Sequence, residues 1–426
     1  MECRRSSQLK VTATSSLFAT ANSDAIGLNL RHPRERTFLE FFAGIGLTHL
    51  GLRPHGWRCI YANDIEVKKQ RMYRACFSEA DYYHVEDIWK TNRIVGRIPT
   101  EVADLVSASF PCIDLSLAGN LKGLDGEHSG TFYGLLKVLR SLRRDGRLPR
   151  AILVENVTGF LSSHKGKFFR IALRELAKLG YFLDAFVLDA KHFVPQSRPR
   201  LFIVGVHGAL PSAEGVQVVP ATASSAFWAP QSDTLLRPER LVEALAGTPL
   251  ATGWLPLHLP TPPAVKHTLR QLIDTGQSEQ WWDERLVRKH LAEMHLRHRA
   301  KVEELKGGKS PIIGTIYRRV RDGRSRSEIR LDGIAGCLRT PRGGSSKQIV
   351  FVAGNGKVRM RWMTPREYAR LQGCPDFPIQ VDRNEALLGF GDAVCVPVIS
   401  WIAKNVLTQL FPSKTQLAEL QETAGD

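Results

Sequence analysis

Apolar and polar positions follow no period over residues 1–33, which are rich in Ser, Thr, Ala and Asn and read as a flexible tail. Their Arg-rich, acid-poor start also suits an organelle transit peptide, against which stand Glu2 and the lack of an amphipathic face. From Thr37 the pattern becomes that of an α/β sheet. Short apolar runs predict strands at 37–43, 58–64, 83–88, 102–110, 151–154, 182–189 and 200–206. Helical periods predict helices at 47–52, 131–142 and 165–179, the last stopped by Gly180. After Val206 the pattern dissolves: 207–265 is rich in Pro, Ala, Ser and Thr and predicts loops and short elements. Order returns at 337–350, a glycine-rich turn entering a strand. A helix follows over 364–372, with Thr364 as N-cap and Pro365 at its first position, and then an apolar helix over 398–410.

Several polar residues sit where these strands end, which is where open α/β sheets bind ligands. The first strand leads into Gly44-Ile-Gly46 and a helix, a turn that lets a backbone approach a ligand. The second ends at Asp64, about 20 residues on, where a carboxylate can accept from both ribose hydroxyls or simply cap a helix. The third ends in an acid, Asp87, and the fourth runs into Phe110-Pro111-Cys112. Cys112 is placed as a nucleophile on a loop past a buried strand, although a free cysteine is commonly a small core residue. Four glycines in 113–130 suit a lid. Glu155 follows the fifth strand, as a capping acid or as a neighbour of Cys112. Arg198 and Arg200 alternate at a strand entrance and point the same way.

Charge adds a partner. The 426 residues carry a formal net charge of +17 and a pI near 9.8, which favours a polyanion. Residues 281–330 hold 14 Lys/Arg against 7 Asp/Glu, clustered at 297–299 and at Arg318, Arg319, Arg321, Arg324 and Arg326. Such clusters suit phosphate contacts; over 284–306, where acids are interleaved, a solvated helix face is the plainer reading. Seven scattered cysteines without a Cys-x-x-Cys pair argue against a disulfide framework and a zinc site, so no metal is expected. No uninterrupted apolar run approaches the roughly 18 residues of a membrane span.

Together these motifs resemble the DNA (cytosine-5) methyltransferases. The resemblance covers about 37–206 and 336–410. It rests on Phe42-Ala43-Gly44-Ile-Gly46, Pro111-Cys112, Glu155-Asn156-Val157, Gln196-Ser-Arg198-Pro-Arg200, Arg339-Thr with Gly343-Gly344-Ser-Ser-Lys-Gln, and Gly391-Asp392-Ala-Val394. It implies a Rossmann-like, S-adenosylmethionine-dependent methyltransferase domain with a mixed sheet of seven-stranded type, plus a smaller target-recognition domain. The implied layout is a tail at 1–33, a catalytic and cofactor-binding domain at 34–206, target recognition at 207–335, a segment completing the catalytic domain at 336–410, and a tail at 411–426.

The resemblance further implies that Cys112 adds to C6 of a flipped cytosine in duplex DNA, so that C5 accepts a methyl group and S-adenosylhomocysteine is released. Glu155 then meets the base's N3 and N4 edge, with Arg198 and Arg200 on its O2 side and backbone. Phe42, Ala43, Gly44, Gly46, Asp64, Ile65, Asp87, Ile88, Pro111, Phe132, Asp392 and Val394 hold the cofactor. Ser116, Arg342 and the five clustered arginines meet DNA. Cognate restriction or defence proteins, a monomeric state and a bacterial cytoplasmic, nucleoid-associated setting are expected with it, and no membrane. Two positions depart from the family pattern: Ile113, where Gln is common, and Asp392, where Asn is frequent. Three rival readings are methylation of RNA, a catalytically silent DNA-binding regulator, and a dinucleotide-dependent oxidoreductase. The basic insert, the intact Cys112 with Glu155, and the full motif order speak against them in turn.

Overall fold

A computed structural model describes residues 35–111, 130–208, 235–276, 280–321, 323–340 and 347–411, with the side chains of 320 and 321 left aside. Cys112, Ser116, the expected lid but for residue 130, Arg342 and both expected tails but for residue 411 lie outside these residues. From Glu35 onward the chain clusters as one compact unit.

The first half builds a seven-stranded sheet. Its strands are β1 (Arg36–Phe41), β2 (Trp57–Asp64), β3 (Tyr83–Val85), β4 (Leu105–Ala108), β5 (Ala151–Val157), β6 (Tyr181–Asp189) and β7 (Pro199–His207), in the order β3-β2-β1-β4-β5-β7-β6. All pairings are parallel except those of β7 with β5 and with β6. The parallel part follows from βαβ crossovers through α1 (Leu47–Leu52), α2 (Val67–Cys76), α3 (Thr91–Arg97) and α4 (Thr131–Arg144). A further helix, α5 (Lys167–Lys178), connects β5 to β6. Side chains alternate between two apolar layers: Phe38 and Leu105 enter one, while Leu39, Phe41 and Val106 enter the other. That double burial explains the nearly continuous apolar runs.

The second half continues through α6 (Glu239–Ala246), α7 (Glu284–Ala292) and α8 (Leu296–Lys306). An antiparallel sheet follows, made of β8 (Ile312–Arg321), β9 (Arg324–Arg330), β10 (Ile349–Gly354) and β11 (Lys357–Trp362) in the order β11-β10-β8-β9. Val287, Met294 and Val302 of the α7–α8 layer pack on Ile316, Ile349, Phe351 and Met360 of this sheet. Strands from both sides of residue 335 therefore share one sheet.

The chain then returns to the first sheet with α9 (Pro365–Leu371), α10 (Arg383–Asp392) and α11 (Val396–Ile402). Thr364 and Glu367 form the capping box that starts α9. The helical run Arg383–Leu410 is apolar and long enough to cross a bilayer, but 72% of its most apolar window is buried inside the protein.

Candidate active site

The carboxyl ends of β1, β2, β4 and β5 converge with the residues before β7. At the end of β1, Phe42 adopts a left-handed backbone (φ 55°), rare for a residue with a side chain, and Gly44 and Gly46 follow at φ 58° and 85°. A Cβ on Gly46 would come within 2.8 Å of Tyr73 and Phe77, so the loop is pressed flat over the α2 layer. Asp64 closes this loop from β2, its two oxygens accepting from the amides of Gly44 (3.0 Å) and Glu66 (3.0 Å). It therefore shapes the loop as well as facing it. Ile65 beside it is 64% exposed, an unusual position for a large apolar side chain.

Lys69, not singled out in the sequence, lies 3.8 Å from Asp64 and 3.2 Å from Asp392. Burial opposes its charge, but the two carboxylates outweigh burial and raise its pKa. Asp392 also accepts from Thr340. Asp87 is half-buried, and one of its oxygens accepts from the Trp89 amide at 3.0 Å. Ile88 is buried and lies against Gly134 of α4, so its side chain packs inward. Phe132 is buried as well, 5.1 Å from the Phe110 ring, which in turn meets Phe42 at 6.5 Å. Phe110 is thus the centre of an aromatic row behind Pro111 that the motif reading missed.

β4 stops at Ala108, whose partner on β5 is Val154, while β5 runs on to Val157. Glu155 and Asn156 therefore overhang the loop that leads to Cys112. Asn156 holds the loop by donating to the Phe110 carbonyl at 3.1 Å. In the β5–β7 register Glu155 faces Phe202 and Val157 faces Arg200, which puts Glu155 and Arg200 diagonally on one face. Their side chains meet, Nε to Oε1 2.8 Å, with 14% and 12% exposure. Arg198, placed by the resemblance against the base, is 2% exposed and donates to the carbonyls of Leu338 (2.7 Å), Gly391 (3.1 Å) and Ala393. It ties the C-terminal segment to the sheet. The close fit continues at Gly391, where a Cβ would fall 2.6 Å from the Arg339 carbonyl carbon. Val394 is buried beside this clamp.

Cys337 lies between the arginines, its sulfur 3.4 Å from Arg198 Nη1 and 3.9 Å from Arg200 Nη2. Burial acts to raise its pKa, but the two guanidiniums outweigh burial and hold it below the ordinary thiol value. No spacing in the sequence singles this residue out.

The basic cluster forms the β8–β9 hairpin. Arg319 faces Arg326 and Arg321 faces Arg324, and Arg319, Arg324 and Arg326 are exposed. Arg318 is on the other side of the pleat, half-buried, 3.7 Å from Glu293 and hydrogen-bonded to Ser325. The signal for the hairpin is Asp322-Gly323 between alternating residues.

A parallel sheet that reverses only at β7, with a glycine loop ending β1 and an acid ending β2, defines the Rossmann-like methyltransferase fold. The model of the C-5 cytosine-specific DNA methylases matches residues 36–408, and the chain belongs to that family. It is 28% identical over 391 residues to the type II methyltransferase M.HpaII of Haemophilus parainfluenzae, covering 88% of this chain and 90% of that one. It is 25% identical over 375 residues to M.HhaI of Haemophilus parahaemolyticus, covering 88% and 94%. Among solved structures, a Spodoptera frugiperda DNMT2 mutant covers 87% of this chain and 99% of its own, with a TM-score of 0.55 at 17% identity. The S. pombe Dnmt2 methyltransferase covers 89% of this chain and 100% of its own, with a TM-score of 0.54 at 16% identity. The protein is a DNA cytosine methyltransferase that uses S-adenosylmethionine to methylate C5 of cytosine.

Proposed function

We propose that Cys112 is the covalent nucleophile and that Glu155 and Arg200 form the polar wall of the base pocket. The Glu155–Arg200 pair, overhanging the loop that leads to Cys112, is the observation that carries this reading. The Cys112 thiolate adds to C6 of the flipped cytosine. Glu155 meets the N3 and N4 edge, where a proton-bearing carboxyl neutralises the charge that develops, and Arg200 fixes the carboxyl. After methylation, removal of the C5 proton and expulsion of Cys112 restore the enzyme. Arg198 is a positioning residue, because its donors already hold main-chain carbonyls.

The donor set fits S-adenosylmethionine. The strained Phe42 loop, the exposed Ile65 and Asp64 offer an apolar face and a hydroxyl acceptor for adenosine. Pro111 and Phe132 line the pocket, Asp87 and the main chain at Ile88 supply its edge, and Asp392 and Val394 stand toward the methionine end. Bound there, the cofactor supplies the methyl group.

The β8–β9 hairpin, within 207–335, delivers duplex DNA through Arg319, Arg321, Arg324 and Arg326, and Ser116 and Arg342 are assigned to DNA contact as well. Arg319 faces Arg326 across the hairpin, Glu328 at 3.8 Å from Arg319 offsets only part of that charge, and Arg324 and Arg326 are exposed, which supports this assignment. Given its type II relatives, the protein works as a monomer in a bacterial cytoplasm, beside a cognate restriction or defence partner. Bisulfite sequencing of DNA from cells expressing the protein tests this reading: protected cytosines in one sequence context are expected, and their absence with methylated RNA instead would refute it.

A further inference from the structure

A second concentration of positive charge lies away from the cleft. Lys137, Arg140, Arg143 and Arg144 of α4 and Lys178 of α5 line an open groove of about 800 Å³. Lys137, Arg140 and Arg144 follow i, i+3, i+7 spacing and so share one helix face. Glu175, which accepts from both Arg140 (2.6 Å) and Lys178 (2.8 Å), is the one carboxylate tied to them among the described residues. The position of the groove follows from topology. α4 leaves the carboxyl end of β4 and returns to the amino end of the parallel strand β5, so the groove runs from Thr91 and Lys137 to Arg143 and Arg144 in the last turn, about 20 Å from the catalytic end.

Helix-end capping accounts for only part of the charge. Arg143 donates to the Lys178 carbonyl at 2.7 Å, as a cation at a helix C-terminus should. Two helix ends together offset roughly one unit of charge, against five cations and one carboxylate. Lys137 is also two turns from the end of α4, over the Trp89 ring at 4.9 Å from its centroid. The remaining repulsion is relieved by an anion with repeated charges, and a row of cations along a helix face suits a run of phosphates.

We propose that this groove binds the phosphodiester backbone of a nucleic-acid segment outside the catalytic cleft. It goes beyond the methyl-transfer reading, which places DNA only at the β8–β9 hairpin and the cleft. Such a site gives the enzyme a second hold on DNA, either further along a bent duplex or on a separate one.

The test compares the salt dependence of binding to a long random-sequence duplex for the wild-type chain and for Lys137→Gln/Arg143→Gln/Arg144→Gln. Loss of three phosphate contacts should flatten the log–log salt slope by about 2 to 3. The charge-conserving Lys137→Arg/Arg143→Lys/Arg144→Lys should keep the wild-type slope. Methyl incorporation at saturating DNA should persist in both. If the triple Gln variant does not fold, Lys137→Gln/Arg144→Gln carries the test with a loss of about 2. An unchanged slope in a folded Gln variant overturns the proposal and leaves the methyltransferase reading intact, and an acidic protein partner would give that result. A wild-type chain that binds no duplex would overturn both.

Discussion

Glu155 and Arg200 show how much one contact can decide. The pair is nearly closed to solvent, so its members hold each other and the edge of the pocket at once. Glu155→Gln keeps the shape but loses the ionisable carboxyl; kcat should fall by about 10²-fold or more while folding is retained, measured by tritiated methyl incorporation beside a thermal melt. Arg198→Lys should instead lower the melting temperature, because one ammonium cannot replace a fork that reaches three carbonyls. A second effect belongs to the loop from Phe42 to Gly46. Glu40, beneath it, is fully buried, and burial pushes its carboxyl up to about 8 despite hydrogen bonds from Tyr73, His49 and Thr48. The folded protein therefore keeps a proton that the unfolded chain loses near 4.5, and this contribution to stability falls as pH rises through that interval to about 8. His49, hydrogen-bonded to Tyr73 at 2.8 Å, is lowered to about 3, mainly by burial, so its contribution is present above 6.5 and falls as pH drops toward 3. Glu40→Gln should match the wild type near pH 5 to within about 1 kcal/mol and exceed its unfolding free energy by on the order of 3–5 kcal/mol above pH 8. Denaturant melts at both pH values check this; equal curves at high pH would contradict it.

At the scale of elements, strands covered on both faces were legible because their apolar runs left no ambiguity, whereas ends and edges were not. β5 was expected to stop at 154 and runs to Val157, since its antiparallel partner β7 carries it past β4. The helix expected from 165 starts at Lys167, because His164 and Lys165 take left-handed backbones. Residues 284–306, for which a solvated helix face is the plainer sequence reading, form two helices parted at 293–295, and the β8–β9 hairpin is hard to read in sequence because dense charge masks its alternation. The link from β11 to α9 is also invisible in sequence: Arg361 and Glu367, 1% and 0% exposed, form a two-pronged pair at 2.8 and 2.6 Å. Arg361→Met strands a buried carboxylate and should cost about 3–5 kcal/mol, seen as a lowered urea midpoint. Arg319→Ser/Arg326→Ser on the hairpin should leave stability nearly unchanged and reduce the salt slope of DNA binding by roughly 2.

At the scale of the molecule, the order of motifs along the chain carried the family, because each marks the carboxyl end of a strand and the sheet brings those ends together. In the structure Glu155 pairs with Arg200, and Asp64 holds the glycine loop. The sequence could not reveal Lys69 between two acids, Cys337 between two arginines, or Arg198 turned to the C-terminal segment, since each depends on packing between segments more than 100 residues apart or on the exact run of a helix face. In the proposed mechanism a Cys112 thiolate drives methylation of cytosine in duplex DNA. Its most direct measurement is transfer of labelled methyl groups to duplex DNA and to transfer RNA by the wild type and by Cys112→Ser, with the product nucleoside identified. Label in 5-methylcytosine of duplex DNA alone, abolished in a folded Cys112→Ser, is the predicted result; label confined to RNA, or undiminished transfer by Cys112→Ser, would contradict it.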